Sequence, residues 1–327
     1  LSAIPTQNIT NDDVVAVNLI ASSDLGTSVT YSATGLPSFA AITSNADNSG
    51  TITLTPKSMD LGSYSVTVTA TDNYGGTDSK AFTINVSGKN QVTINLNFNQ
   101  SSPQAAPWNN TNSAPVANLT VNALKDANNN ITSVGFNMIT AMTGSYSNAV
   151  TTGNNSGVFP DNVMRTMYFS STNAPVQFRL TGLSATKKYS LIIHAGYPWT
   201  PQQEATSGTL VGTYSVGAQT VTLNAANNTS NTVRINGISP DGSGNVVVTM
   251  AKAPGAGYVI INAMQILSYD DEQAAVTFNP PFNVKAVGTA SDKINISWQN
   301  PTETRTAVEL WRSTSPNGIY SLRATLG

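Results

Sequence analysis

The chain predicts an all-β fold of tandem β-sandwiches, and three observations carry the prediction. Apolar and polar residues alternate with period two from end to end, as in Tyr64-Ser-Val-Thr-Val-Thr-Ala, Ala81-Phe-Thr-Ile-Asn-Val and Ile294-Asn-Ile-Ser-Trp. Turn clusters separate these runs: Asn73-Tyr-Gly-Gly, Asp126-Ala-Asn-Asn-Asn and Asp241-Gly-Ser-Gly. The 327 residues include 42 Thr, which favour strands, and 37 Asn, which favour turns. No stretch carries a helical period of 3.6.

Composition then excludes several classes of function. Charged residues make up 10%, against roughly 25% in typical globular chains. A net charge of -2 gives no basic surface for nucleic acid. Abundant β-branched apolar residues argue against disorder. No run approaches the roughly 20 apolar residues of a membrane helix, so no membrane insertion is expected. With no cysteine, disulfides, thiol catalysis and zinc-thiolate sites are absent. The chain starts at Leu1 without a signal peptide, and the expectation is a piece of a longer protein.

Charge divides the chain into three. Residues 1–88 hold seven acids and two bases, residues 89–268 four acids and eight bases, and residues 269–327 six acids and five bases. Turn-rich or charged stretches mark the joints at Ser87-Gly-Lys-Asn and between Tyr269 and Pro281. The expected modules are 1–88, 89–275 and 276–327.

In the first module, Thr30-Tyr-Ser-Ala-Thr-Gly-Leu-Pro precedes Gly50-Thr-Ile-Thr-Leu-Thr-Pro. Leu61-Gly-Ser-Tyr-Ser-Val-Thr-Val-Thr-Ala-Thr-Asp-Asn-Tyr-Gly-Gly and Phe82-Thr-Ile-Asn-Val follow. This order resembles the cadherin-like, immunoglobulin-type modules of bacterial surface proteins. The resemblance implies a seven-strand sandwich serving as spacer or adhesion module, with calcium as its cofactor. It places calcium ligands at Asp24 and Asp72, with Asp13 as a further acid near the start. Leu25 and Gly26 stand where the family often has a second acid.

The middle module opens with Val92-Thr-Ile-Asn-Leu-Asn-Phe and closes with Tyr258-Val-Ile-Ile-Asn-Ala-Met-Gln-Ile. It is similar to malectin-like and galactose-binding-like jelly rolls, which implies pairing of the opening and closing strands and a lectin-like role. Its four carboxylates are Asp126, Asp161, Glu204 and Asp241, and no two share a local motif of the kind a glycoside hydrolase needs. There is no Gly-x-Ser-x-Gly elbow and no phosphate loop. His194 lies in the apolar run Ser190-Leu-Ile-Ile-His-Ala and reads as a packed strand histidine rather than a catalytic base. Asp126-Ala-Asn-Asn-Asn fits either a calcium loop or a hairpin turn.

Aromatic loops give the stronger signal. Pro107-Trp-Asn-Asn, Gly144-Ser-Tyr-Ser and Tyr197-Pro-Trp-Thr-Pro combine rings that can stack on sugar C–H faces with amides that can bind hydroxyls. The candidate carbohydrate-binding residues are Trp108, Asn109, Asn110, Tyr146, Tyr197 and Trp199. The module's excess of bases leans toward acidic polysaccharides.

The last module, with Pro281-Phe-Asn-Val-Lys-Ala-Val, Ile294-Asn-Ile-Ser-Trp and Val308-Glu-Leu-Trp-Arg, looks like the first half of a fibronectin type III domain. Trp298 would be its core tryptophan, and the parent chain is expected to continue past Gly327. The expected whole is a non-catalytic, secreted or cell-surface segment of a bacterial protein. Its partners would be a polysaccharide or cell-surface glycan and neighbouring modules of the same chain. The alternatives are a structural stalk of an adhesin and the accessory region of a secreted polysaccharide hydrolase.

Overall fold

A computed structural model describes residues 1–23 and 28–271, and beyond them the strands 282–290, 293–299, 308–312 and 321–326. The chain is all-β and divides into two compact units, Leu1–Glu272 and Gln273–Gly327. The first unit contains two sandwiches.

Seven strands build the first sandwich: β1 (Gln7–Thr10), β2 (Val15–Ile20), β3 (Val29–Thr34), β4 (Ala40–Ser44), β5 (Ser49–Leu54), β6 (Gly62–Asp72) and β7 (Thr77–Ser87). One sheet has the order β1-β7-β6-β3 and the other β2-β5-β4. Neighbours are antiparallel except β1, which runs parallel to β7. Alternation turns Val66, Val68 and Ala70 of β6 inward together with Phe82, Ile84 and Val86 of β7. They meet Val17, Leu19, Ile52 and Leu54 in one core.

The second sandwich runs through β8 (Val92–Asn97), β9 (Trp108–Asn110), β10 (Thr120–Val121), β11 (Gly135–Met138), β12 (Gly144–Tyr146), β13 (Met167–Ser170), β14 (Val176–Thr181) and β15 (Lys187–His194). It continues with β16 (Val211–Val216), β17 (Gln219–Asn224), β18 (Val233–Ile238), β19 (Val246–Lys252), β20 (Val259–Ile261) and β21 (Ala263–Asp270). A six-stranded sheet, β10-β11-β14-β19-β16-β17, faces a five-stranded one, β18-β15-β21-β8-β9, and a short third sheet, β12-β13-β20, lies beside them. The opening strand β8 pairs antiparallel with the closing strand β21. Between the layers Phe98, Phe136, Phe178 and Tyr168 meet edge-on or tilted, with ring centroids 5.3–5.9 Å apart.

Two short helices appear that periodicity did not predict. Helix α1 (Asp161–Met164) is a single turn, and α2 (Pro201–Ser207) buries no residue, so neither can imprint an apolar stripe on the sequence. Helix α2 is specified locally instead. Thr200 and Gln203 form a capping box, and Pro201 occupies the first turn.

The two sandwiches of the first unit share a residue. Tyr269 of β21 is fully buried and belongs to the core of the first sandwich together with Leu267. Its hydroxyl reaches Ser190 Oγ at 2.9 Å and the Ser58 carbonyl at 3.2 Å, and accepts from the Gly237 N–H at 3.1 Å. Gly88 passes so close that a Cβ would lie 2.4 Å from the tyrosine ring. Around it, the Asn11 amide donates to Ser58 Oγ and the Asp270 carbonyl, and the Asn236 amide donates to the carbonyls of Met59 and Leu61.

In the second unit, β22 (Phe282–Ala290) pairs with β23 (Lys293–Gln299) and β24 (Val308–Arg312) with β25 (Ser321–Leu326), both antiparallel. Trp298 lies on β23, half-buried. The expected linker residues 272–281 lie outside the described residues.

Tyr269→Ala should destabilise both sandwiches of the first unit, because it opens a cavity in one core and unties the other. The expected loss is about 3–5 kcal/mol, as for other aromatic truncations in cores. Calorimetry on the full chain checks this, and a melting temperature unchanged from wild type would contradict the shared core.

Candidate functional site

Two of the acids expected to bind calcium, Asp13 and Asp72, lie at opposite ends of the first sandwich. Asp72 closes the β6–β7 hairpin, with its Oδ1 accepting the N–H groups of Tyr74 and Gly76 at 2.9 and 2.8 Å. Asp13 accepts the Thr10 N–H at 2.7 Å, beside the opposite end of β7. Thr77 and Ser87 bound that strand, and ten residues at ~3.3 Å each separate the two acids by roughly 33 Å. Asp13 and Asp72 therefore cannot share an ion, and Asp24 lies outside the described residues. Among the described residues no group of three or more His, Cys, Asp or Glu could hold a metal.

The Asp126 loop is a hairpin turn of the same design as that at Asp72. Asp126 Oδ1 accepts from Asn128 and Asn130, and Asp241 Oδ1 from Ser243 and Asn245, at 2.8–2.9 Å. In all three turns the fourth residue, Gly75, Asn129 or Gly244, has a left-handed backbone with φ of 85°, 67° or 72°. Hydrogen bonds from Asn130 and Asn245 hold the Asp126 and Asp241 carboxyls below the ordinary carboxylate range. Asp161 is spent similarly on the N–H of Thr152 and of Asn155. Glu204 is exposed on α2.

The six predicted sugar-binding residues fall into two groups. Trp108, Asn109 and Asn110 form β9, an edge strand parallel to β8. Trp108 is half-buried with its edge on Phe159, centroids 5.2 Å apart. Both ends of the Asn109 amide are engaged, by the carbonyls of Asn95 and Lys125 and by the Lys125 N–H. The Asn110 oxygen accepts from Asn97 and the Gln104 N–H, and its nitrogen donates to the Gln104 carbonyl. These amides replace missing ladder partners at a sheet edge and have none left for a ligand. The single six-residue site is thus corrected to its second group.

Tyr146, Tyr197 and Trp199 come together around a cavity of about 250 Å³, joined by Phe169 and Tyr258. The five rings form an unbroken chain of edge-to-face contacts. The order is Tyr146–Tyr197 at 5.6 Å, Tyr197–Trp199 at 6.0 Å, Trp199–Tyr258 at 5.9 Å and Tyr258–Phe169 at 5.8 Å. Strand pairing closes the horseshoe, since Tyr146 lies opposite Met167 on β13, two residues from Phe169. Gln203 and Ser207 of α2 add polar groups, and no charged side chain lines the cavity. Burial, and then the neighbouring hydroxyl of Tyr146, raises the Tyr197 phenol above its ordinary range, so it stays protonated and can both donate and accept.

The wall is held by amides on either side of it. The Asn227 side chain clamps Trp199 by accepting its N–H at 3.0 Å and donating to its carbonyl at 2.8 Å. The Asn262 side chain, fully buried, accepts the Gly196 N–H at 2.7 Å and donates to its carbonyl at 3.1 Å. A Cβ on Gly196 would lie 2.2 Å from the Asn228 carbonyl oxygen, so only glycine fits there. The Trp199 indole donates to the Gly208 carbonyl at 3.2 Å, making it a buried wall, while Tyr146 is 43% exposed and forms the rim.

Sequence reasoning missed Phe169, Tyr258, Gln203 and Ser207. Tyr258 carried a readable signal, an aromatic between the glycine-rich Pro254–Gly257 loop and the closing strand. Gln203 was marked by the capping box.

A family model described as "Putative Ig domain" matches residues 1–87, so the first sandwich is an Ig-like module. No curated protein matches the chain. Among solved structures, the chain is similar to the CBM51-2 domain in complex with GlcNAc and the INT domains of Clostridium perfringens ZmpB. That match has 10% identity, 81% of this chain and 47% of that one, and a TM-score of 0.26. Human protocadherin-24 EC1-2 matches at 14% identity over 55% and 84%, TM-score 0.22. A ruminal GH26 endo-β-1,4-mannanase matches at 16% identity over 34% and 20%, TM-score 0.20. The chain thus spans less than two thirds of the mannanase and of the ZmpB structure, and at these TM-scores the likenesses carry no argument about what it binds.

His194 is fully buried at the end of β15. Its Nδ1 lies 3.1 Å from the Asn231 carbonyl, Phe159 packs edge-on at 5.9 Å, and Nε2 has no partner. Burial lowers its pKa, with the Asn231 bond opposing, so the folded chain keeps a neutral imidazole. As pH falls through the ordinary value of ~6.5, the unfolded chain takes up a proton that the folded chain refuses, and stability drops. His194 is the only histidine, so the urea midpoint should fall between pH 7.5 and 5.5 in wild type and stay level in His194→Gln. A flat wild-type profile would contradict this.

Proposed function

We propose that the chain is a non-catalytic, carbohydrate-binding and adhesion segment of an extracellular protein, with the glycan held by the second sandwich. The observation that carries this reading is the horseshoe of Tyr146, Tyr197, Trp199, Tyr258 and Phe169 around an uncharged cavity. Rings present apolar walls to sugar C–H groups, while tyrosine hydroxyls, Gln203 and Ser207 offer both donors and acceptors to sugar hydroxyls. The cavity has room for about eight water molecules at ~30 Å³ each, which suits one sugar ring.

The Ig-like first module and the final unit act as spacers in this reading, with modules divided at 88 and 275. The lean toward acidic polysaccharides is withdrawn, because a carboxylate entering a cavity without a cation would lose hydration and gain no partner. Three of the second sandwich's four carboxylates are occupied by main-chain N–H groups, which supports a binding rather than a hydrolytic role.

A glycan array probed with the full chain tests the proposal. Tyr146→Ala and Tyr197→Ala should each weaken capture several-fold, in line with about 0.5–1.5 kcal/mol per aromatic contact. Trp108→Ala should leave capture unchanged, because Trp108 stands outside the horseshoe. Absence of any glycan hit, or loss of binding with Trp108→Ala alone, would overturn the assignment.

A further inference from the structure

Tyr146 is a wall of two cavities. On one side lies the aromatic cavity; on the other lies a polar cleft of about 390 Å³ lined by Gln100, Ser101, Ser145, Tyr146, Ser147 and Thr166. Tyr146 alone lines both, and it is exposed at the rim. The cleft is built from two loops tied together, since Ser145 Oγ donates to Gln100 Oε1 at 2.6 Å. That bond leaves the Gln100 amide nitrogen for a ligand. Ser101 and Ser147 are exposed, and their hydroxyls bond no side chain or main-chain group among the described residues. Thr166 forms the floor, its hydroxyl occupied by Asn97 and the Val163 carbonyl.

The two sides differ in chemistry. The aromatic side is ring-walled and, at about 250 Å³, sized for one sugar. The other side is lined by hydroxyls and an amide, which recognise sugar hydroxyls, with Tyr146 as its one ring. Neither side is lined by a charged residue. Arg165 approaches the far end of the cleft, where its Nε donates to the Ser147 carbonyl at 3.3 Å, but it faces the next hollow, with Asp161 and Asn162. A residue that lines both cavities can contact two consecutive sugars of one chain, and the linkage between them would pass Tyr146 at the exposed rim.

Building on the carbohydrate reading of the aromatic cavity, we infer that the ligand is a neutral oligosaccharide of at least two sugars. One sugar sits among the rings and the next lies across Tyr146 in the Gln100–Ser147 cleft. The cleft residues set the preference for a chain over a single sugar, while the rings set the affinity common to both.

Calorimetric titration of the full chain tests this with glucose and mannose, their β-1,4-, α-1,4- and β-1,3-linked di- and trisaccharides, and a matched β-1,4-linked diuronate. In the recognised series the disaccharide should bind at least tenfold tighter than the monosaccharide. Gln100→Ala and Ser147→Ala, both exposed, should erase most of that gain and leave monosaccharide affinity unchanged. Tyr197→Ala should weaken mono- and disaccharide alike. Equal affinity for mono- and disaccharide, or a gain untouched by Gln100→Ala and Ser147→Ala, would overturn the extended cleft and leave the aromatic cavity as a one-sugar site. Preference for the diuronate would overturn neutrality. Failure of every saccharide to bind would overturn the carbohydrate reading itself.

Discussion

Main-chain groups without a strand partner are the constraint on which this structure depends. The second sandwich has long connections between short strands, and each turn of them buries N–H and C=O groups that need hydrogen bonds. Asparagine answers most of these needs. Asn227 clamps Trp199, Asn228 bonds the carbonyls of Ala195 and Asn231, and Asn262 holds both polar groups of Gly196. Asn99 and Asn110 do the same around β9, Asn99 with the Ser101 carbonyl and the Asn112 N–H and Asn110 with both main-chain groups of Gln104. One amide supplies a donor and an acceptor without the desolvation cost of a charge, which is how a chain with 10% charged residues keeps its loops in one conformation.

The same economy places the aromatic horseshoe. Its rings come from β12, β13, the residue just before β20 and the loop before α2, all outside the two large sheets. Such peripheral elements have few ladder bonds of their own. The Asn227 clamp and the Thr200–Gln203 capping box therefore fix the loop that carries Tyr197 and Trp199. With the carboxylates of Asp126, Asp161 and Asp241 drawn into turns, the cavity is left uncharged.

Much of the fold was legible because side-chain period reports which face of a strand is buried, as in Val66, Val68 and Ala70. Turns were legible because Asp, Asn and Gly have few other reasons to cluster. The site was legible in part. Tyr146, Tyr197 and Trp199 were marked as aromatic residues in polar loops, and the fold joins them. Trp108, Asn109 and Asn110 bore the same marks, but an amide able to bind a sugar hydroxyl binds a carbonyl equally well, and only topology decides which it meets. Asp13 and Asp72 of the first module part company for a related reason. A family position fixes a place along the chain, whereas a shared ion needs nearness in space, and β7 separates Asp13 from Asp72. Phe169 stayed hidden because it lies within β13 among the buried Met167, Tyr168 and Ser170, where a strand aromatic reads as core.

The pairing of the opening and closing strands has a mechanical consequence. In the first sandwich β1 and β7 run parallel, so tension applied at its two ends shears their four paired positions together rather than peeling them one by one. In the second sandwich the chain enters and leaves side by side, with Val92 opposite Ser268 and the Asp270 N–H on the Lys89 carbonyl at 2.9 Å. A pull along the chain therefore passes from Lys89 to Asp270 across the Tyr269 joint. The rest of the second sandwich, with its ring-walled cavity, hangs beside that line of force, and while the joint holds, the cavity keeps its shape under load.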